Sequence, residues 1–309
     1  MISKSAENVK NFQKELYYFN SAREGWNAIL ESSNLSNKVL LPSYIGVTER
    51  EGSGIFDPII NSKVSYDFYD LNNDLSVPLD KITSKLENGE YGLVLLVHYF
   101  GFKIKNIEEI VKICKENKII IVEDCAHLYN YNLYSYSRCG TYGDFVFYSL
   151  HKFFPMKKGG MVIKNNENIN LLFSGITLDV NYSSQVIKYD VKAIADKRIE
   201  NYKYLDKLIK NIEGIKPLMS LALEDIPHNY PITVNNNLRE KLYFWMIEKN
   251  ITLIALYYRL INPISKDKYS NTYYLSNNIL NLPIHQDINK VELDNLAELL
   301  EEGLKELKK

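Results

Sequence analysis

Lys152 lies three residues after Ser149 and is followed by Phe153, Phe154, Pro155 and Met156. An ammonium among aromatic side chains loses its hydration, and the usual escapes are a depressed pKa or conversion to a Schiff base. The alternative is a lysine that reaches the surface beside the proline turn. Lys157 and Lys158, just before Gly159-Gly160, read as solvated turn residues. A second signal is IIIVEDCAH, Ile119 to His127, where an apolar run stops abruptly at Glu123-Asp124. In an open parallel sheet, ligands sit beyond the carboxyl ends of the strands, where Asp124 would project. The plainer reading is a carboxylate that caps the next turn. A third signal is Asn20-Ser21-Ala22-Arg23 at a helix start, whose Ala22 and Arg23 peptide nitrogens suit a phosphate, with the Arg23 guanidinium as an extra clamp. Ordinary capping by Ser21 explains the same residues equally well.

Jointly these residues meet the needs of one cofactor, pyridoxal 5'-phosphate (PLP). It requires a lysine for its aldehyde, a carboxylate facing its pyridinium nitrogen and donors for its phosphate. Lys152, Asp124 and Ser149 could supply them, with Ala22 and Arg23 at the phosphate. A carboxylate about 3 Å from a protonated ring nitrogen gains a gross ~5–6 kcal/mol at an effective dielectric near 20, which keeps the ring an electron sink. His127 could hydrogen-bond the phenolic oxygen. A histidine satisfied by backbone at a helix start is the alternative.

The elements that must hold these residues alternate. Ser21 to Ser33 reads as a helix capped by Ser21, with Trp26, Ile29 and Leu30 on one side. Strand-like runs follow at Lys38–Leu41, Val64–Tyr69, Gly92–Val97, Ile119–Val122, Phe145–Tyr148 and Met161–Ile163. Between the third and fourth, Ile107, Ile110, Val111 and Cys114 fall at helical spacing, the mark of a βαβ crossover and a parallel sheet buried on both faces. After Asn165 the pattern turns to long helices at about 189–211, 238–250 and 289–308, with a Tyr/Asn-rich loop expected around 270–278. The expected organisation is an α/β large domain over residues 1–188 and a smaller α+β domain over 189–309.

The chain has 309 residues with 46% hydrophobic and 24% charged residues, proportions that exclude disorder, collagen and coiled-coil rods. Thirty-seven basic against 38 acidic side chains leave a net charge of −1, so no global field recruits nucleic acid or an anionic membrane. The longest apolar stretches, such as Leu93 to Val97, fall far short of the roughly 20 residues needed to span a bilayer. Cys114, Cys125 and Cys139 form neither a zinc pattern nor a disulfide framework, so no metal is expected. MISKSAENVKNFQK at the start has no apolar signal region, and the expectation is a cytoplasmic protein with reduced thiols.

The motifs resemble the DegT/DnrJ/EryC1/StrS family of PLP-dependent sugar aminotransferases. SAREGWNAIL is similar to the family's helix-opening phosphate segment, and VLLPSYIGV to its V-x-x-P-S-Y strand. LLVHYFGFKIKNIEEIVKICKENKIIIVEDCAH is similar to its V-H-x-x-G…I-E-D-x-A-[QH] block, and GTYGDFVFYSLHK…GG to its G-x-x-G-D…F-S-x-x-K…G-G block. LNLPIHQDI is similar to the C-terminal L-P-x-x-x-x-[LI] segment. The resemblance implies a fold-type I transferase with a mixed, mostly parallel sheet. It implies a homodimer that aminates a nucleotide-linked keto-sugar with glutamate as donor, in polysaccharide or secondary-metabolite biosynthesis. Lys152 would be the catalytic lysine, Asp124 and His127 the ring partners, and Ser149, Ala22 and Arg23 the phosphate anchors.

The chain also departs from that pattern. Many members carry the lysine five residues after the serine, here three. The ring-stacking aromatic falls at Gly46, which leaves Tyr44 or Tyr99 as stand-ins. The segment that lends an asparagine to the partner's site has no clear counterpart after Ser174, with Asn181-Tyr182 a weak substitute. A PLP-binding relative without catalysis is the rival reading. A sugar dehydratase, whose branch has histidine in place of the lysine, is the other, because His151 stands beside Lys152.

Overall fold

The computed structural model describes residues 15–33, 35–130, 137–169 and 180–308. Seven strands form the larger sheet: β1 (Glu15–Phe19), β2 (Lys38–Pro42), β3 (Tyr66–Tyr69), β4 (Tyr91–Val97), β5 (Ile120–Asp124), β6 (Phe145–Ser149) and β7 (Gly160–Lys164). Their spatial order is β1-β7-β6-β5-β4-β2-β3. Strands β6, β5, β4, β2 and β3 pair in parallel, and β7 runs against both of its neighbours. The α/β class with a mixed, mostly parallel sheet is therefore the observed one. β6 and β7 are buried along their whole length, which is why their sequences are apolar runs rather than alternating ones.

Helices α1 (Ala22–Ser32), α2 (Phe56–Ser62), α3 (Leu79–Leu86), α4 (Ile107–Glu116), α5 (Leu150–Phe153) and α6 (Val180–Val186) accompany this sheet. α4 links β4 to β5 and buries Ile107, Ile110, Val111 and Cys114, the stripe read from the sequence. The chain then continues through α7 (Val191–Ile209), β8 (Ile215–Pro217), β9 (Asn229–Val234), α8 (Arg239–Glu248), α9 (Ser270–Asn278), β10 (Ile279–Pro283) and α10 (Lys290–Leu307). β10, β9 and β8 form a separate antiparallel sheet. α10 opens with a capping box between Asn289 and Glu292.

Residues 270–278, expected as a loop, are helix α9. Asparagine and tyrosine are poor helix formers, but Thr272, Leu275 and Ser276 are buried on one side, and tertiary packing overrides propensity. The amides of Asn277 and Asn278 donate to the carbonyls of Tyr273 and Tyr274 one turn back, so the exposed side remains hydrogen-bonded.

The pairing register fixes where a site can form. Asp124 lies opposite Val97 and Phe147, and Ser149 and Phe19 both lie opposite Gly160. The ends of β1, β5 and β6 thus emerge along one edge of the sheet, the edge where ligands collect in open α/β folds.

Candidate active site

A cleft of about 1100 Å³ opens at that edge. Ala22, Arg23, Asp124, Ser149 and Lys152 all line it, so five of the six residues singled out in the sequence face one space. Ser149 ends β6, and the short α5 puts Lys152 one helical turn later. Residues three apart on such a turn share a face, so the spacing of three still delivers both side chains to the cleft. Burial holds the Lys152 amine below the ordinary lysine range, although Asp124 and Glu51 pull the other way. Its neutral, nucleophilic form is correspondingly more populated. Lys157 and Lys158 are exposed, as expected of turn residues, and Lys158 Nζ donates to Asn20 Oδ1 at 2.7 Å. His151 is exposed too, with Nδ1 3.3 Å from Ser149 Oγ.

Asp124 is buried, and burial raises its carboxyl to about 6, against the lowering influence of the Ala126 N–H, Lys152 and His98. One hydrogen bond reaches its Oδ1, from the Ala126 N–H at 2.8 Å. This carboxylate is short of partners and would gain from a cation brought into the cleft.

His127 stands behind the cleft wall, in a parallel stack with Phe100 at 5.8 Å and His228 at 5.4 Å. The Phe100 N–H donates to its Nδ1 at 3.2 Å, which assigns the ring proton to Nε2. Burial, then the charge of Lys152, holds the ring well below the ordinary histidine pKa, so it is neutral at pH 7. Its Nε2 is buried with no partner among the described residues. A buried N–H without an acceptor is costly unless a ligand provides one.

Ser21 caps α1 by accepting from the Glu24 N–H at 3.2 Å, which leaves the Ala22 and Arg23 N–H groups without helical acceptors. Gly160 lies directly under this turn. A β-carbon there would overlap the Ser21 carbonyl and come within 2.5 Å of the Ala22 nitrogen. The bare glycine lets the helix start sit against the sheet edge. The clamp expected of the Arg23 guanidinium is not what the geometry gives: it reaches Asp57 at 3.5 Å and the Glu51 carbonyl instead. Both are acceptors, so the guanidinium braces the loop over the cleft and only the backbone of Arg23 faces a potential anion.

Arg198, His228 and Tyr257, which spacing did not single out, complete the arrangement. Arg198 on α7 is buried and donates to the carbonyls of Lys152 (3.5 Å) and Phe153 (3.2 Å), to Gln286 Oε1 (3.1 Å) and to His228 Nδ1 (3.2 Å). Its guanidinium also lies over the Phe153 ring at 4.4 Å. The C-terminal LNLPIHQDI segment therefore holds, through Gln286, the arginine that pins the Lys152 turn. Tyr257, in the loop between α8 and α9, lines the cleft at φ 60°, a left-handed conformation that costs a bulky residue about 1–2 kcal/mol. Tyr44 and Tyr99 do not line it; their hydroxyls donate to the carbonyls of Leu256 and Tyr44.

Residues 57–175 match the model of the DegT/DnrJ/EryC1/StrS aminotransferase family. Over that segment, the resemblance read from the motifs is borne out. The matched segment contains Asp124, His127, Ser149, Lys152 and Gly160, whereas SAREGWNAIL and LNLPIHQDI lie outside it. An uncharacterized protein of Methanocaldococcus jannaschii, MJ1066, is 25% identical over 239 residues, 62% of this chain and 61% of that one. GDP-perosamine synthase of Escherichia coli O157:H7 is 30% identical over 119 residues, 36% of this chain and 31% of the synthase. The chain thus aligns with less than two thirds of the length of either relative. Among solved structures, the PLP form of Spr1654 from Streptococcus pneumoniae, a proposed sugar aminotransferase, has a TM-score of 0.77 at 15% identity. That match covers 95% of this chain and 88% of Spr1654, and it shows that the two share the fold. The DegT/DnrJ/EryC1/StrS segment thus sits within a fold common to both along nearly the whole chain. The stretch after Ser174, where a partner-site asparagine was sought, lies outside the described residues as far as 179.

Proposed function

We propose that this chain is a PLP-dependent aminotransferase that moves an amino group from glutamate to a nucleotide-linked keto-sugar, in polysaccharide or secondary-metabolite biosynthesis. The observation that carries this reading is the unpartnered His127 Nε2–H beside a cleft that also holds Lys152, Asp124 and an open helix start. The set fits PLP. Lys152 would hold the aldehyde and Asp124 would face the ring nitrogen. His127 would donate to the phenolic oxygen, and Ser149 with the Ala22 and Arg23 N–H groups would seat the phosphate. The family match and the name of the perosamine relative support the sugar class. Among the described residues, no helix is long and apolar enough to cross a membrane. The proposal extends to a cytoplasmic homodimer, with residues 1–188 as the cofactor domain and 189–309 as the smaller one.

When bound, PLP supplies a ring that accepts the electron pair released at the amine-bearing carbon. The protein's own part is proton transfer and placement. Once the incoming amine has displaced it from the aldehyde, Lys152 Nζ would carry the proton away from that carbon and return it on the other side of the transfer, a role favoured by the burial that lowers its pKa. Asp124 would keep the ring nitrogen protonated. Arg198 fixes the backbone from which Lys152 acts.

Purified protein loaded with PLP should absorb in the visible, and glutamate should bleach that band. Lys152→Ala should remove the band and lower turnover by roughly 10³–10⁴-fold, while Lys157→Ala leaves both unchanged. An unaltered band in the Lys152 variant would refute the assignment. Bound PLP that no amino donor converts would favour the non-catalytic relative.

A further inference from the structure

The loop that carries Tyr257 is strapped at both ends. Ile254 bridges to Asn281 of β10, and Leu260 bridges to Gly46. Between the straps, the left-handed backbone at Tyr257 turns its ring onto the bare α-carbon of Gly46. A β-carbon at 46 would overlap the ring and lie 2.8 Å from the Tyr257 α-carbon. The ring meets Tyr44 edge-on at 5.1 Å and Tyr99 at 6.2 Å, and its centroid is 6.5 Å from that of His127. It shares the cleft wall with Asp124, Ala126 and Lys152. The other aromatics on that wall are placed differently: Phe147 is stacked on Trp26, half-buried Tyr243 packs edge-on against Phe244 at 5.4 Å, and Phe244 and Tyr258 are exposed. A bulky residue in a conformation it rarely adopts, held by backbone on both sides, is a pattern found at ligand sites.

Resting on the reading of this cleft as a PLP site, we propose that Tyr257 supplies the aromatic surface that holds the cofactor's pyridine ring, in the space left open by Gly46. A protonated pyridine is electron-poor and planar, and the π-face of tyrosine attracts it by dispersion and by its quadrupole. The residue comes from the loop anchored on β10, so the cofactor's ring contact is provided by the C-terminal part of the chain.

Full-length protein is stripped of cofactor and titrated with PLP, with affinity read from intrinsic fluorescence and ring immobilisation from visible circular dichroism. Tyr257→Leu keeps bulk against Gly46 but removes the π-face. It should weaken PLP about tenfold and flatten the dichroic band, whereas Tyr257→Phe stays within about threefold of wild type. Equal affinity and an equal band in Tyr257→Leu overturn the proposal while leaving the PLP reading intact. Wild-type protein that binds no PLP overturns both. Should Tyr257→Leu fail to fold, nitration of the wild-type chain decides: bound PLP protects Tyr257 if the proposal holds, and unchanged labelling overturns it.

Discussion

Glu123 and Asp124 are adjacent at the end of β5, yet alternation along the strand sends them to opposite faces of the sheet and into opposite circumstances. Glu123 is fully buried and accepts the N–H groups of Gly140, Tyr142 and Gly143, each at 2.7 Å, together with His98 Nε2 at 2.9 Å. Those bonds tie the segment entering β6 to the end of β5, so this carboxylate sets the relative position of the strands that carry Asp124 and Ser149. Asp124 has one backbone donor and a raised pKa. The difference shows that burial alone does not mark a chemical group. A carboxylate saturated with donors is fixed in structure, and one left short of them is available to a cation.

Substitutions should separate the two faces by size and by pH. Glu123→Ala leaves three buried N–H groups and His98 without an acceptor, and should lower unfolding free energy by about 3–5 kcal/mol in urea titrations. A loss below about 1 kcal/mol would mean that the lock is not structural. Asp124→Asn should act in the opposite direction in cofactor-free protein. The folded carboxyl titrates near 6, above its ordinary 3.8, so the native state holds more protons between those values. Stability therefore falls as pH rises from about 4 to 6 and stays lower above that. The asparagine variant should be more stable than wild type by about 2–3 kcal/mol at pH 7–8, and the gain should vanish below about pH 4. Added PLP should reverse that ranking, because only the wild type offers a charge to the ring nitrogen. Lys158→Ala removes only an exposed bond to Asn20 and should change stability by less than about 0.5 kcal/mol, with the visible band intact.

The sheet was legible because β4, β5 and β6 must be apolar to lie between layers, and a charged pair at the end of such a run marks the edge. Lys152 was legible because an amine among aromatic residues contradicts its surroundings. Tyr257 was not: what defines it is a missing side chain at Gly46, 211 positions away (257 − 46), brought close by two isolated bridges and the Tyr44 hydroxyl on the Leu256 carbonyl. Arg198 and His228 were hidden in an ordinary amphipathic helix and a loop, and their meaning comes from the Lys152 turn they touch. β1 escaped notice because ELYYF shows no polar-apolar alternation and only Tyr18 among its described side chains is buried, and α9 because its asparagines favour turns.

The bare α-carbon of Gly160 beneath Ser21 also imposes a timetable on folding. The two positions are 139 residues apart (160 − 21), and closing so long a loop costs roughly 2 kcal/mol more entropy than closing one of about 20 residues. The β4–α4–β5 unit needs only near neighbours and can organise early, carrying Asp124 with it. The proposed anion seat waits for β7 to dock between β1 and β6, so a chain emerging during synthesis would possess its acid before the proposed place for a phosphate exists.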